Sequence, residues 1–288
     1  MNRIRRSMLF VPGGNEKLLI KGLEQKVDAL ILDLEDSVAP AKKLEARKAV
    51  TEALQAHNFG GKEKVVRVNA ISTEWGRSDI EEVLRGKPDT LLLPKVDKAE
   101  DILDYAQEVT GGERKAGLPA GSVGLVALIE SPLGIINIEA IAGASPRLTG
   151  FIFGAADFTR ETHGRITADR LELYYPLVRI LLAARAFGLD AIDSPYFDFK
   201  DPLGLEKHSR QAKDLGYDGK ALIHPAQVEI INRIFTPTPE EIGYAQRVIE
   251  AFQAAQAEGK GAIQLDGKLI ENVHVAMAER ILKIAEQA

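Results

Sequence analysis

A chain of 288 residues, 45% hydrophobic and 27% charged, suits one large α/β domain with an appendage. Its net charge of −5, from 37 basic against 42 acidic residues, and its lack of a long basic run exclude a nucleic-acid partner. No apolar run approaches the ~20 residues of a membrane span. With 0 cysteines, disulfides, zinc-thiolate sites and thiol nucleophiles are excluded, so any metal must be held by oxygen or imidazole, as fits a cytoplasmic enzyme.

Behind the basic start Arg3-Ile4-Arg5-Arg6, the apolar stretch Met8 to Val11 stops at Pro12-Gly13-Gly14, too short for a secretory signal. Along the chain, short apolar runs alternate with helical patterns, the order of parallel strands joined by crossover helices. The strands are expected at Ser7–Val11, Ala29–Asp33, Lys64–Val68, Thr90–Leu93, Gly124–Ile129, Gly150–Phe153, Asp190–Asp193 and Gly219–Ile223. Most are apolar on successive residues, as when both faces are buried. Helices are expected over Asn15–Lys26, Ala41–Ala56, Ala168–Phe187 and Pro202–Leu215, the last two stopped by Gly188 and Gly216.

Eight such units close a (β/α)8 TIM barrel, expected over residues 1–235. An open doubly wound sheet shows the same alternation, but no Gly-x-Gly-x-x-Gly or Walker-type loop follows the first strand. Residues 236–288 are surplus to the barrel. Thr236-Pro237-Thr238-Pro239 reads as a linker before a helix to about Glu258, and Asp266-Gly267 as a hairpin turn before a final helix from about Val273. This C-terminal helical extension suits either a lid or a structural brace.

In a parallel barrel the site forms at the carboxyl ends of the strands, and polar residues gather there. They are Glu35-Asp36, Arg67 with Asn69, Lys95, Glu130, Asp157, Asp193 and His224. Glu130 and Asp157 follow consecutive strands about 5 Å apart, so their carboxylates are candidates to share one hard cation, magnesium or alternatively manganese. Arg67 sits among apolar residues at a buried strand end and needs an anionic partner, either a substrate carboxylate or Glu35 and Asp36. Lys95, among so many acids, reads as protonated and paired rather than as a Schiff-base nucleophile.

Several segments occur in the order found in citrate lyase beta subunits. They are Arg6-Ser7-Met8-Leu9-Phe10-Val11-Pro12-Gly13, Leu32-Asp33-Leu34-Glu35-Asp36-Ser37-Val38, Val66-Arg67-Val68-Asn69 and Leu93-Pro94-Lys95, followed by Ile129-Glu130-Ser131-Pro132-Leu133-Gly134, Gly154-Ala155-Ala156-Asp157-Phe158 and Gly219-Lys220-Ala221-Leu222-Ile223-His224-Pro225. Over nearly its whole length the chain therefore resembles the citrate lyase beta subunit-like family, which also includes malyl-CoA and citramalyl-CoA lyases.

The resemblance implies a phosphoenolpyruvate-binding-type barrel, commonly a homotrimer. It places magnesium on Glu130 and Asp157, the oxo-acid carboxylate on Arg67, coenzyme A near Lys17 and Lys21, and the substrate pocket against Phe10, Ile223 and His224. The family's tail carboxylate, usually aspartate, corresponds to Glu271 in Gly267-Lys268-Leu269-Ile270-Glu271, and Phe10 stands where some relatives carry tyrosine. The activity so implied is magnesium-dependent cleavage of a citramalyl-CoA or citryl-type thioester to acetyl-CoA and a 2-oxo acid, with Glu271 protonating the departing enolate. Malyl-CoA cleavage or hydrolysis is an alternative. A further one is a non-catalytic subunit that binds an acyl-carrier protein or joins other citrate lyase-type subunits.

Overall fold

The structure is a computed structural model that describes residues 3–257 and 259–287. Those residues divide into two compact units, Arg5–Asn232 and a smaller one of residues 233–287 with Arg3 and Ile4.

The larger unit is a closed barrel of parallel strands in sequence order, β1 through β8, with β8 paired back onto β1. In chain order it runs β1 (Ser7–Pro12), α1 (Glu16–Leu23), β2 (Ala29–Asp33), α2 (Lys43–Ala56), β3 (Glu63–Arg67), α3 (Gly76–Val83), β4 (Thr90–Leu93) and α4 (Ala99–Ala116). It continues with β5 (Gly124–Ile129), α5 (Pro132–Ile136), α6 (Ile138–Ala142), β6 (Leu148–Phe153), α7 (Ala155–Glu161), α8 (Tyr174–Phe187), β7 (Asp190–Asp193), α9 (Pro202–Leu215), β8 (Gly219–Leu222) and α10 (Val228–Phe235). The expected TIM barrel is the observed fold.

Two differences from the sequence expectations have local causes. The helix expected over Ala168–Phe187 begins only at Tyr174, because Arg170 takes a left-handed φ of 54° and its guanidinium is drawn inward. The helix expected from Ala41 is a 3₁₀ turn over Pro40–Lys42 until α2 starts at Lys43. Gly188 and Gly216 do stop α8 and α9, at φ of 69° and 109°.

Strand alternation sorts the interior. Met8, Ala29, Ile31, Val65, Leu92, Val126, Leu128, Ile152, Ile192 and Ala221 form one buried cluster inside the barrel, with Phe10 packed against it. At the amino-terminal end of the strands, Arg5 closes the interior with hydrogen bonds of 2.8 and 2.7 Å to Glu63 and one of 2.9 Å to Asp190. Because successive side chains alternate faces, two residues beyond Ile31, Val65, Leu128, Ile152 and Ala221 the inward positions are Asp33, Arg67, Glu130, Gly154 and Ile223. The same parity that packs the core therefore delivers the polar groups to the barrel mouth.

In the smaller unit, α11 (Pro239–Ala257) precedes the antiparallel pair β9 (Ile263–Leu265) and β10 (Lys268–Ile270), followed by α12 (Asn272–Gln287). Asp266 and Gly267 turn the hairpin at φ of 50° and 78°, as a two-residue turn with both φ positive requires. Ala245, Val248, Phe252, Ile270 and Ala278 make this unit's own core. No helix among the described residues is long and apolar enough to cross a membrane.

Candidate active site

The carboxyl ends of the strands open onto a cavity of about 420 Å³ whose lining includes Phe10, Asp33, Asp36, Arg67, Glu130, Gly154, Asp157 and Ile223. Six of the residues singled out from sequence, Phe10, Asp36, Arg67, Glu130, Asp157 and Ile223, are thus brought to one surface. Lys17 and Lys21 are not in that lining; both are exposed on α1, which follows β1. His224 is not in it either. Its Nδ1 accepts the Ala226 N–H at 3.1 Å and its ring stacks on Phe199 at 4.6 Å. Glu271 lies in the smaller unit, after β10, exposed, with its backbone N–H donating to His274 Nδ1 at 3.1 Å.

Arg67 ends β3 directly opposite Asp33 on β2. Its Nε and Nη2 donate to the two Asp33 carboxylate oxygens at 2.6 and 2.7 Å, the fork geometry of a bidentate pair. Nη1 lies 3.0 Å from Glu35 Oε2 and 3.6 Å from Asp36 Oδ2, and the guanidinium carbon is 5.0 Å from the Phe10 ring centroid. Burial works against this charge, but hydrogen bonding to Asp33 and then the charges of Asp33, Glu35 and Asp36 keep Arg67 protonated above its usual range. Glu35 and Asp36 are the partners expected from sequence. Asp33, which grips Arg67 more closely, was not singled out, although an acid closing the apolar run Leu30-Ile31-Leu32 was the available signal.

Asp33 also shapes its own turn, accepting the backbone N–H of Glu35 at 2.9 Å and of Ser37 at 3.1 Å. Lys95, beyond β4, bridges two acids: its backbone N–H donates to Glu130 Oε1 at 2.8 Å and its Nζ lies 3.0 Å from Glu35 Oε1. That pairing with Glu35 raises the Lys95 ammonium, so it is protonated and paired, as the acidic surroundings imply. Its φ of 53° is the left-handed backbone that turns the N–H toward Glu130.

Glu130 follows β5 and Gly154 follows β6, at adjoining register positions after the pair Ile129 and Phe153. A Cβ on residue 154 would lie 2.4 Å from Glu130 Cβ and 2.8 Å from its Oε2, so only glycine leaves the carboxylate its place. Burial pushes the Glu130 carboxyl up to about 8, with the charges of Glu35 and Asp157 adding to it against the Lys95 N–H and Arg67. Asp157, in the first turn of α7, is held by Arg160 at 2.8 Å. Two carboxylates that repel each other across a shared cavity, both hard oxygen donors, fit a divalent cation, which would relieve that repulsion.

Asp193 stands apart from this group, a correction to its place among the mouth residues. It has the opposite parity to Ile192 and faces the helix layer, where Arg170 contacts it at 2.5 and 3.0 Å and Lys220 Nζ at 2.5 Å. Burial alone would raise its carboxyl, but Arg170 and Lys220 hold it below the usual carboxylate range. Asn69 is likewise structural, donating to the Leu34 carbonyl at 2.9 Å and to Asp79 at 2.6 Å.

Known proteins share both the sequence and this architecture. The HpcH/HpaI aldolase/citrate lyase family matches residues 6–225. The chain is 42% identical over 284 residues to citrate lyase subunit beta of Escherichia coli K12, covering 99% of this chain and 94% of that one. It is equally 42% identical over 281 residues to a (3S)-malyl-CoA thioesterase of Cereibacter sphaeroides, covering 98% and 94%. The solved structure of CitE from Mycobacterium tuberculosis in complex with magnesium, acetoacetate and coenzyme A superposes with a TM-score of 0.78 at 29% identity, covering 99% of this chain and 100% of that one. Matched over the whole barrel and at these identities, the chain belongs to the HpcH/HpaI aldolase/citrate lyase family.

Proposed function

We propose that this chain is a magnesium-dependent carbon–carbon lyase that cleaves a hydroxy-carboxylate thioester of coenzyme A, of citramalyl or citryl type, to acetyl-CoA and a 2-oxo acid. The observation that carries the reading is the division of charge in one cavity, with a locked guanidinium at Arg67 and a pair of acids at Glu130 and Asp157. Glu130 and Asp157 are the residues that would hold magnesium, the metal present in the solved CitE relative. When bound, magnesium supplies positive charge against the negative charge that gathers on the substrate's hydroxyl oxygen.

Arg67 grips the substrate carboxylate, and because Asp33 fixes its guanidinium through the fork, that grip aligns one carbon–carbon bond for cleavage. Phe10 and Ile223 give the cavity apolar wall against the carbon skeleton. In the reaction the hydroxyl gives its proton to solvent water, its oxygen becomes the ketone of the 2-oxo acid, and the electron pair of the breaking bond passes into the thioester as an enolate. The enolate then takes up a proton, a role we assign to Glu271. Residues 236–288, which carry Glu271, serve in this scheme as the lid of the catalytic domain 1–235. Lys17 and Lys21 are assigned to the coenzyme A moiety and His224 to the rim of the pocket, on the family resemblance. The working form is taken to be a cytoplasmic homotrimer that uses magnesium, with manganese able to substitute for it.

The malyl-CoA thioesterase relative, as similar as the lyase subunit, supports a second reading in which water attacks the thioester carbonyl of malyl-CoA. One experiment separates the two. Purified protein is incubated with magnesium and citramalyl-, citryl- or malyl-CoA, and oxo acid and free coenzyme A are assayed separately. Oxo acid with acetyl-CoA establishes the lyase, free coenzyme A without oxo acid the thioesterase, and neither product from any substrate refutes both.

A further inference from the structure

The turn after β2 carries Asp36 to the cavity and Glu35 to the Arg67 guanidinium beside it, and its peptide groups are fastened from a different element. Lys43, the first residue of α2, is only 6% exposed and donates from Nζ to two successive carbonyls, those of Leu34 at 2.9 Å and Glu35 at 2.8 Å. The same ammonium lies 5.3 Å from the centroid of the Trp75 ring. A buried cation is costly unless its surroundings repay the loss of water. Here the two carbonyls and the aromatic face do so, together with the charges of Glu35, Asp33, Asp79 and Asp36, which oppose the downward pull of burial on the ammonium.

The geometry constrains more than Lys43 itself. Successive carbonyls ordinarily diverge along a turn, so a single donor that holds both fixes the rotation of the peptide unit joining Leu34 to Glu35. That rotation sets the direction of the Glu35 side chain, whose carboxylate lies 3.0 Å from Arg67 Nη1 and 3.0 Å from Lys95 Nζ. Asn69 also donates to the Leu34 carbonyl and the Val38 N–H to that of Glu35, at 2.9 and 3.1 Å, but each holds one carbonyl alone. Lys43 is the donor common to both.

We infer that Lys43 is a positioning residue for the site: by tying the Leu34 and Glu35 carbonyls together it sets Glu35, and through Glu35 the Nη1 edge of the Arg67 guanidinium, the edge not held by Asp33, that meets the substrate carboxylate. The kinetic consequence rests on the proposed function, since it takes Arg67 as the carboxylate grip. The structural consequence does not.

The test compares wild type with Lys43→Met, which keeps the length of the side chain without its donor, and Lys43→Arg, which restores charge and donors. Lys43→Gln replaces Lys43→Met if the latter does not fold. In the folded protein, Lys43→Met is expected to raise KM for the thioester by roughly tenfold, as lost carboxylate grip should, with magnesium affinity by calorimetry changed less than about twofold. The Nη1–H resonance of Arg67, the group beside Glu35 and assigned by its loss in Arg67→Lys, is expected to shift in Lys43→Met and to return toward its wild-type position in Lys43→Arg. A folded Lys43→Met with an unmoved Arg67 resonance overturns the inference, as does a moved resonance that Lys43→Arg leaves uncorrected. Should wild type turn over no thioester, the proposed function fails, while the Arg67 resonance still decides the role of Lys43.

Discussion

Asp33 and Arg67 face each other as register partners on β2 and β3 and share hydrogen bonds of 2.6 and 2.7 Å, so the guanidinium proposed to grip the substrate is fixed by the barrel itself. Removing Asp33 leaves a buried guanidinium with Glu35 and Asp36 as its remaining anions. Asp33→Ala is expected to cost about 3 kcal/mol, the low end for a broken buried pair because those two acids remain. Urea denaturation measures it, and a loss under about 1 kcal/mol would show that the pair is not what holds Arg67. Arg67→Lys keeps the charge but loses the fork, and kcat/KM is expected to fall about 100-fold or more.

How much of this was readable beforehand depends on what each residue's neighbours reveal. The strand Thr90–Leu93 is a compact apolar run beside clear turn signals, and it falls where it was expected. Arg67 was legible because a guanidinium among apolar residues needs an anion, and Glu130 and Asp157 because, as a pair after consecutive strands, they suit one cation better than either does alone. Asp33 was missed because it reads as the last residue of such a strand, and its partner lies 34 residues away in sequence. Asp193 was misplaced for a related reason: strands buried on both faces show no alternation, so the sequence cannot tell which parity points inward. Its partner Arg170 breaks a helix pattern at a φ of 54° that only the buried ion pair explains.

Glu130 and Asp157 are expected to be required together. Glu130→Gln and Asp157→Asn each keep the side chain's size and remove one anionic oxygen donor. Each is expected to abolish magnesium binding in a calorimetric titration and to lower turnover at least about 100-fold, since the charge they would recruit opposes that developing on the substrate. Wild type should gain thermal stability on adding magnesium and the two variants should not, by linkage of binding to folding. Magnesium-dependent turnover retained in both variants refutes the assignment.

Gly154 is expected to be intolerant of the smallest side chain. The added Cβ would stand 2.4 Å from Glu130 Cβ, and that atom is anchored to a buried strand end rather than to a flexible tip. Gly154→Ala should therefore displace the Glu130 carboxylate and cost about 1–3 kcal/mol as an overpacked core site does. Chemical denaturation together with magnesium titration checks both halves. Wild-type affinity for the metal in Gly154→Ala would mean that Glu130 has room to spare, contrary to the close approach seen.

The buried cluster behind β7 and β8 predicts a pH dependence of stability separate from the chemistry. His208 is 7% exposed beside Arg170 and Lys220, and burial first, then those two charges, bring its imidazole down to about 4 from an ordinary 6.5. Above pH 6.5 the ring is neutral in both folded and unfolded chains and contributes no slope. Between 6.5 and about 4 the unfolded chain takes up the proton first, so stability is lost as pH falls through that window. The loss attributable to this ring is expected to be on the order of 2 kcal/mol at the acid end, allowing for partial solvent screening. Since carboxylates titrate in the same range, the measurement is the difference in unfolding free energy between wild type and His208→Asn at pH 8, 6.5, 5 and 4. That difference is expected to stay flat from pH 8 to 6.5 and then to move steadily against wild type; a flat difference throughout would mean that the imidazole is already free to protonate in the folded protein.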